Sequence, residues 1–241
     1  CLSVFVFTRW TMVAHHTCHG GYENCHPERK GRWSRFTFAL GGGWRRFNDW
    51  FDWMMPEAWN IEHNNRHHYN LSEIHDPDLV EQNTVTIREL DIPVPLKYIA
   101  VVFLMCTWKW YYYAPNTYKE LKLAQWRREG KKIPAGVQPE LPISIKDALL
   151  GQNVFYSVFE LIGIVMGPYF LIHFFLTPLP FYMLGNFLEG YTGSTMYWNA
   201  VTNLFLAELL TNAHGFLCIV TNHAGDDMYR FDRPCRPYSG S

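Results

Sequence analysis

The residues of this chain best suited to chemistry lie between Trp59 and His75, in WNIEHNNRHHYNLSEIH, where His63, His67 and His68 fall within six positions. On a helix, His63 and His67 sit one turn apart on the same face, with His68 beside them. Glu62 and Arg66, also four apart, can pair without engaging an imidazole. Three imidazoles so close together burden an apolar core, because each ring brings a polar nitrogen that needs a partner. They suit a metal, since neutral imidazole is the commonest protein metal ligand. The plainer reading of this stretch alone is a histidine-rich surface turn. A second group, His15, His16 and His19, closes the apolar run CLSVFVFTRWTMVA. Its members are three and four apart, again on one helical face, and Gly20-Gly21 can end the helix there.

The elements that must position these groups are apolar. The chain has 241 residues, 21 Lys+Arg against 22 Asp+Glu, and 17% aromatic residues, so it advertises no surface for a polyanion such as nucleic acid. A mean hydropathy of −0.16 conceals two long apolar runs among polar segments. The six cysteines form no C-x-x-C and no zinc-finger spacing, which points to free thiols on the reducing side of a membrane. Residues 1–14 read as the tail of an apolar helix, too short to cross a bilayer, which needs about 20 residues. Residues 154–177 make one complete span, which Pro168 should kink, and residues 195–222 make a second. Residues 98–114 are short, carry Lys109 and end in aromatics. Basic loops flank this segment at 29–46 and 115–150, and positive-inside bias places both on the cytoplasmic side. Segment 98–114 is therefore expected to lie in the interface, or to dip in and return. The loop 178–194 has no Lys or Arg and fits the opposite side. That topology brings His214 and His223 to the compartment that holds the other two groups.

His15, His16, His19, His63, His67, His68, His214 and His223 make eight candidates, too many for one four-coordinate ion and suited to a two-metal site. Imidazole donors suit iron, copper or zinc. The E-x-x-H motif of soluble di-iron bundles has one match, Glu23 to His26.

HHTCH, with H-x-x-x-H from His15 to His19, and HNNRHH, with H-x-x-x-H-H from His63, resemble the first two histidine boxes of integral-membrane fatty acid desaturases. LLTNAHGFLCIVTNHAGDDMYRFD is similar to a stretch of algal and bacterial members. The resemblance covers nearly the whole chain. It implies an all-α integral-membrane fold, a single domain over residues 1–241, with a cytoplasmic-side helical cap carrying the histidine boxes. It also implies two iron ions that activate O₂ and desaturate a lipid acyl chain, with electrons from cytochrome b5 or ferredoxin, in the endoplasmic reticulum or a plastid or thylakoid membrane. His15, His19, His63, His67 and His68 are the implied ligands, with His214 as the family's extra histidine and His223 as the second choice. The family's third box, H/Q-x-x-H-H, is absent, and truncation of the chain at both ends is the expected explanation. Two other functions keep a place: a membrane hydroxylase with the same boxes, and a non-catalytic desaturase-like subunit of a larger membrane assembly. A bis-histidine haem carrier fits less well, because it needs single facing histidines.

Other polar residues read more simply. Glu160, within a span, is a functional candidate or a helix-packing group. His173 reads as a packing histidine near the far interface, and His26 and His75 as loop residues, with His75 able to support the centre from outside. Asp226 and Asp227 can cap a turn or bond a ligand histidine. The aromatic segments 44–59 and 98–113 are candidate walls of an acyl channel.

Overall fold

In a computed structural model of the chain, the described residues are 1–25, 31, 33–41, 43–80, 84–224 and 231. His26, Asp226, Asp227, Cys235 and part of the basic loop at 29–46 lie outside them. The described residues are helical, with a single isolated bridge between Glu73 and Phe231 and no strand. The described cysteines, Cys1, Cys18, Cys25, Cys106 and Cys218, are all free. The chain folds as two compact units, one made of residues 1–57 and 159–214, the other of residues 58–158 and 215–241.

Among the described residues, two helices are long and apolar enough to cross a membrane: Val158–Gly185 with 28 residues and Gly193–His223 with 31. Only 28% of each apolar window is buried within the molecule, whereas the core helix of a water-soluble protein would be mostly covered. The second matches the expected 195–222 closely. The first runs eight residues past the expected end at 177, because Pro178 and Pro180 fall in the opening turn of Leu179–Gly185. A proline there removes an N–H that has no intrahelical partner anyway.

In the first unit, Leu2–Thr8, Arg9–Ala14 and His15–Cys18 run on as one helix, and the Arg9–Ala14 turn is widened to i→i+5 bonding. Gly20 then adopts a φ of +78°, which favours glycine, and ends it. Trp10, Trp53 and Trp50 form an aromatic core, with ring centroids 4.8 Å apart from Trp10 to Trp53 and 5.1 Å apart from Trp53 to Trp50. Arg9 anchors this helix to Asp52 at 2.8 Å while its guanidinium lies over the Phe51 ring.

Pro168 brings no N–H to the ladder of Val158–Gly185, and the segment just before it, Leu161–Met166, is widened to i→i+5 bonding. The Ile164 carbonyl lies in that widened segment. Arg46 donates to that carbonyl and, at 2.7 Å, to the carbonyl of Val165. Burial of this guanidinium pulls it down to about 10. Between the two long helices, a Cβ on Gly185 would lie 2.8 Å from the Thr192 carbonyl oxygen, and one on Gly193 would lie 2.4 Å from that of Tyr182. The turn is therefore closed to any larger residue at either position.

In the second unit, Val94–Trp108, Lys109–Tyr113 and Ala114–Arg128 form one unbroken helix. The segment expected at 98–114 is thus part of a longer element. Asn116 ties that helix to the backbone of Ile143 in both directions, and Lys119 donates to the carbonyls of Pro139 and Leu141. Ser144 caps Ile145–Leu150 by accepting from the Asp147 N–H at 3.1 Å.

Candidate metal centre

The second unit gathers four of the seven implied ligands. Pro56–Glu62 is α-helical, and the chain then widens into a five-residue turn, His63–His67, in which the His68 N–H donates to the His63 carbonyl at 3.1 Å. In a regular α-helix a residue five positions on points about 140° away. A turn closed by i→i+5 bonding brings it back over its starting point. His68 therefore meets His63 directly, Nε2 to Nε2 at 3.0 Å. The ring of Trp59 stacks on His63 at 4.4 Å and fixes its plane.

His67, 3% exposed, is held from behind. Its Nδ1 is 2.8 Å from Asp76 Oδ1, and Asp76 also accepts the backbone N–H groups of Ser72 and Asp78. Asp76, fixed as an acceptor, selects the tautomer of His67 with the proton on Nδ1. The lone pair is then on Nε2, which lies 3.3 Å from Nε2 of His223. His223 reaches this position at the end of a second widened turn, Phe216–Val220, with its Nδ1 2.6 Å from the Ile219 carbonyl oxygen. Asp78 is held by the hydroxyl of Tyr113, which donates to it at 3.0 Å. Ligand atoms of His63, His67 and Asp78 all lie within 4.8 Å of one another.

Burial opposes the charged form of His67, but the hydrogen bond to Asp76 and the charges of Asp78 and Asp76 outweigh it and hold the imidazolium above its ordinary range. Burial also raises Asp78, against the pull of the His67 charge. Glu62, wholly buried, is raised well above the carboxylate range by burial and by the neighbouring charges of Asp78, Glu120 and Asp76. Its expected partner is taken: Arg66 donates to Glu120 at 3.1 Å instead.

In the first unit, the rings of His15 and His19 approach to 4.6 Å, and His15 Nδ1 lies 3.1 Å from the Thr11 carbonyl oxygen, which leaves its Nε2 as the nitrogen for other partners. His16 is exposed beside them. His214 is not with this pair. Its Nδ1 lies 3.1 Å from the Ser3 hydroxyl and its ring meets Phe7, about three turns back along the first helix. Of the two late histidines, the one joined to a histidine box is thus His223, the second choice from sequence.

Two sets of polar residues went unremarked in the sequence. Asp76 and Asp78 are the acids of the HDPD turn, close enough to His67 in sequence for their roles to be suspected. Glu208 is fully buried in the second long helix, 3.4 Å from Nε2 of His173. The rule that singled out Glu160, an ionisable residue within an apolar run, applies to it equally. His173 lies midway along its helix, stacked on Tyr169 at 5.4 Å, and not near an end.

Imidazole nitrogens bound at about 2.1 Å to one tetrahedral ion stand roughly 3.4 Å apart, and closer in octahedral geometry. The 3.0 Å and 3.3 Å separations of the two Nε2 pairs match edges of such a polyhedron. An all-nitrogen donor set with an adjacent carboxylate fits iron, zinc or copper. Comparison with family models, with curated proteins and with solved structures gives no match.

Proposed function

We propose that the chain is the metal-binding part of a membrane oxidase of the histidine-box desaturase type, acting on a lipid acyl chain. The observation that carries this reading is the pairing of His63 with His68, and of His67 with His223, through Nε2 atoms at metal-ligand spacing, with Asp76 fixing the tautomer of His67. His63, His67, His68 and His223 would hold metal in one unit, and the close pair His15 and His19 offers the same donor type in the other. Iron bound there would supply the capacity to activate O₂. The overall reaction converts –CH₂–CH₂– with O₂, two electrons and two protons to –CH=CH– and two waters, with the electrons drawn from cytochrome b5 or ferredoxin. A hydroxylase would use the same donors and insert one oxygen atom.

The residues of the chain do the rest. Trp59 keeps the His63 ring in plane, and Asp76 and Tyr113 hold the second layer. Buried Glu120 extends this layer, meeting Arg66 at 3.1 Å and Lys119 at 3.3 Å. The two long apolar helices fit an integral membrane location, in which the endoplasmic reticulum and plastid membranes are the compartments that the resemblance suggests.

Elemental analysis of the purified intact protein tests the reading, together with gas chromatography of acyl chains from cells that express it. About two irons per chain, lost with His67→Ala together with any new double bond, is the expected result. A protein without metal, or double bonds still formed by His67→Ala, sinks it.

A further inference from the structure

The unbroken helix of the second unit reverses the usual rule of burial. Its C-terminal half is polar and covered: Asn116, Lys119 and Glu120 are 5%, 2% and 2% exposed. Its N-terminal half, Val94–Trp108, carries Lys97 as its one charge and is open. Tyr98, Ile99, Val102 and Phe103 are 69%, 65%, 56% and 66% exposed. These four residues recur at i, i+1, i+4 and i+5 and so form one continuous face. A face of that kind is a poor surface for water and a good one for hydrocarbon.

The neighbours of this helix say what covers it. Within the same unit, Val94–Trp108 packs alongside Phe216–Val220, with backbones approaching within 8 Å. Phe216–Val220 is the last apolar turn of Gly193–His223, one of the two helices able to cross a membrane. Leu217 there is 55% exposed, which extends the open apolar surface from one element to the next. Whatever medium surrounds the end of the long helix also surrounds its neighbour. Fifteen residues reach about 22 Å, short of the roughly 30 Å of hydrocarbon, so Val94–Trp108 cannot cross on its own. One end is suited to a polar boundary, where Lys97 turns back, Nζ donating to the Arg88 carbonyl at 2.8 Å; at the other end Trp108 and Lys109 are buried within the protein.

We propose that the Tyr98–Ile99–Val102–Phe103 face of Val94–Trp108 is a lipid-binding surface, occupied by the acyl chains of a single bilayer leaflet. This proposal rests on the reading of Gly193–His223 as a membrane-crossing helix and does not depend on the metal. The helix lies in one leaflet and leaves on the side it entered. It anchors the second unit to the membrane independently of the crossing helix.

The test places the intact protein, one chain per disc, in phosphatidylcholine nanodiscs that contain a phospholipid with a diazirine at mid-chain. Adducts are located by peptide mass spectrometry after irradiation. The expected result is lipid adducts on Tyr98, Ile99, Val102 or Phe103, at a level comparable with Gly193–His223, and at least tenfold above Ala114–Arg128. Adducts on Gly193–His223 without any on Val94–Trp108 overturn the lipid-bound face and leave the crossing helix intact. Adducts on neither element overturn both. The same irradiation at several chains per disc tests the rival occupant. Loss of the 98–103 adducts as a second chain joins the disc means that another copy covers the face, and that also overturns the proposal.

Discussion

The two units bury ionisable groups in opposite ways. In the first, His173 and Glu208 face each other across two long helices, walled by Tyr169, Phe174 and Phe51. In the second, Glu62, Arg66, Asp76, Asp78, Lys119 and Glu120 surround His67 in a connected set of bonds and charges. Removing one member of a close buried pair takes that contact from the other outright. A network shares the loss, and what it gives up is the orientation of particular groups. The first arrangement therefore bears on stability, the second on how the His67 ring is held.

The largest effect is expected where the pair is broken. Glu208→Ala removes the carboxylate that lies 3.4 Å from the buried His173 imidazole and should destabilise the protein by about 3–5 kcal/mol, whereas replacing both partners by leucine should be much milder. Denaturant midpoints in mild detergent measure this. Equal losses in the single and double variants would show that the pair is no unit. Arg46→Met, which strips the donor from the carbonyls of Ile164 and Val165, should cost about 1–3 kcal/mol in the same measurement. No loss would mean that the turn before Pro168 satisfies itself.

In the second unit, Asp76→Ala should leave stability nearly unchanged by comparison and weaken metal binding about 10–100-fold, with Asp76→Asn recovering part of it as an acceptor without charge. Cobalt titration followed by its visible absorption reads both the affinity and the ligand geometry. Affinity unchanged in Asp76→Ala would remove the orienting role. The smallest effect is a titration. In the metal-free protein, His67 should stay protonated above its ordinary range, and Asp76→Asn should lower that value, by NMR of histidine-labelled protein. Because the folded value is raised, the contribution to stability is complete below the unfolded value near pH 6.5 and is lost as pH rises through the folded one. A His67 titrating at or below pH 6.5 would contradict the cause assigned here.

The long helices were legible because length and hydropathy are properties of a continuous run. Their ends were less so: Pro178 read as a stop, yet the first turn of a helix accepts it. The histidine groups were legible by spacing, but a 3.6-residue period could not show that His68 meets His63 squarely, because the widened turn departs from that period. Asp76 lies eight residues beyond the nearest box histidine, and only the loop between them makes it a partner of His67. Choosing His223 over His214 needed the contacts themselves, since both follow from the same helix and differ only in which neighbour they meet. Glu208 is legible in principle, since an ionisable residue within an apolar run stands out in the sequence itself.

The close turn between Gly185 and Gly193 has a consequence for biogenesis. Each long helix carries an ionisable group near its middle, His173 in one and Glu208 in the other, and either would enter a bilayer alone at a penalty of a few kcal/mol. A seven-residue loop, tightly closed where Gly185 and Gly193 flank it, lets the two leave the ribosome and fold back as a hairpin, partner to partner. The insertion machinery would then receive the two groups already side by side, and the order of synthesis itself would shield them.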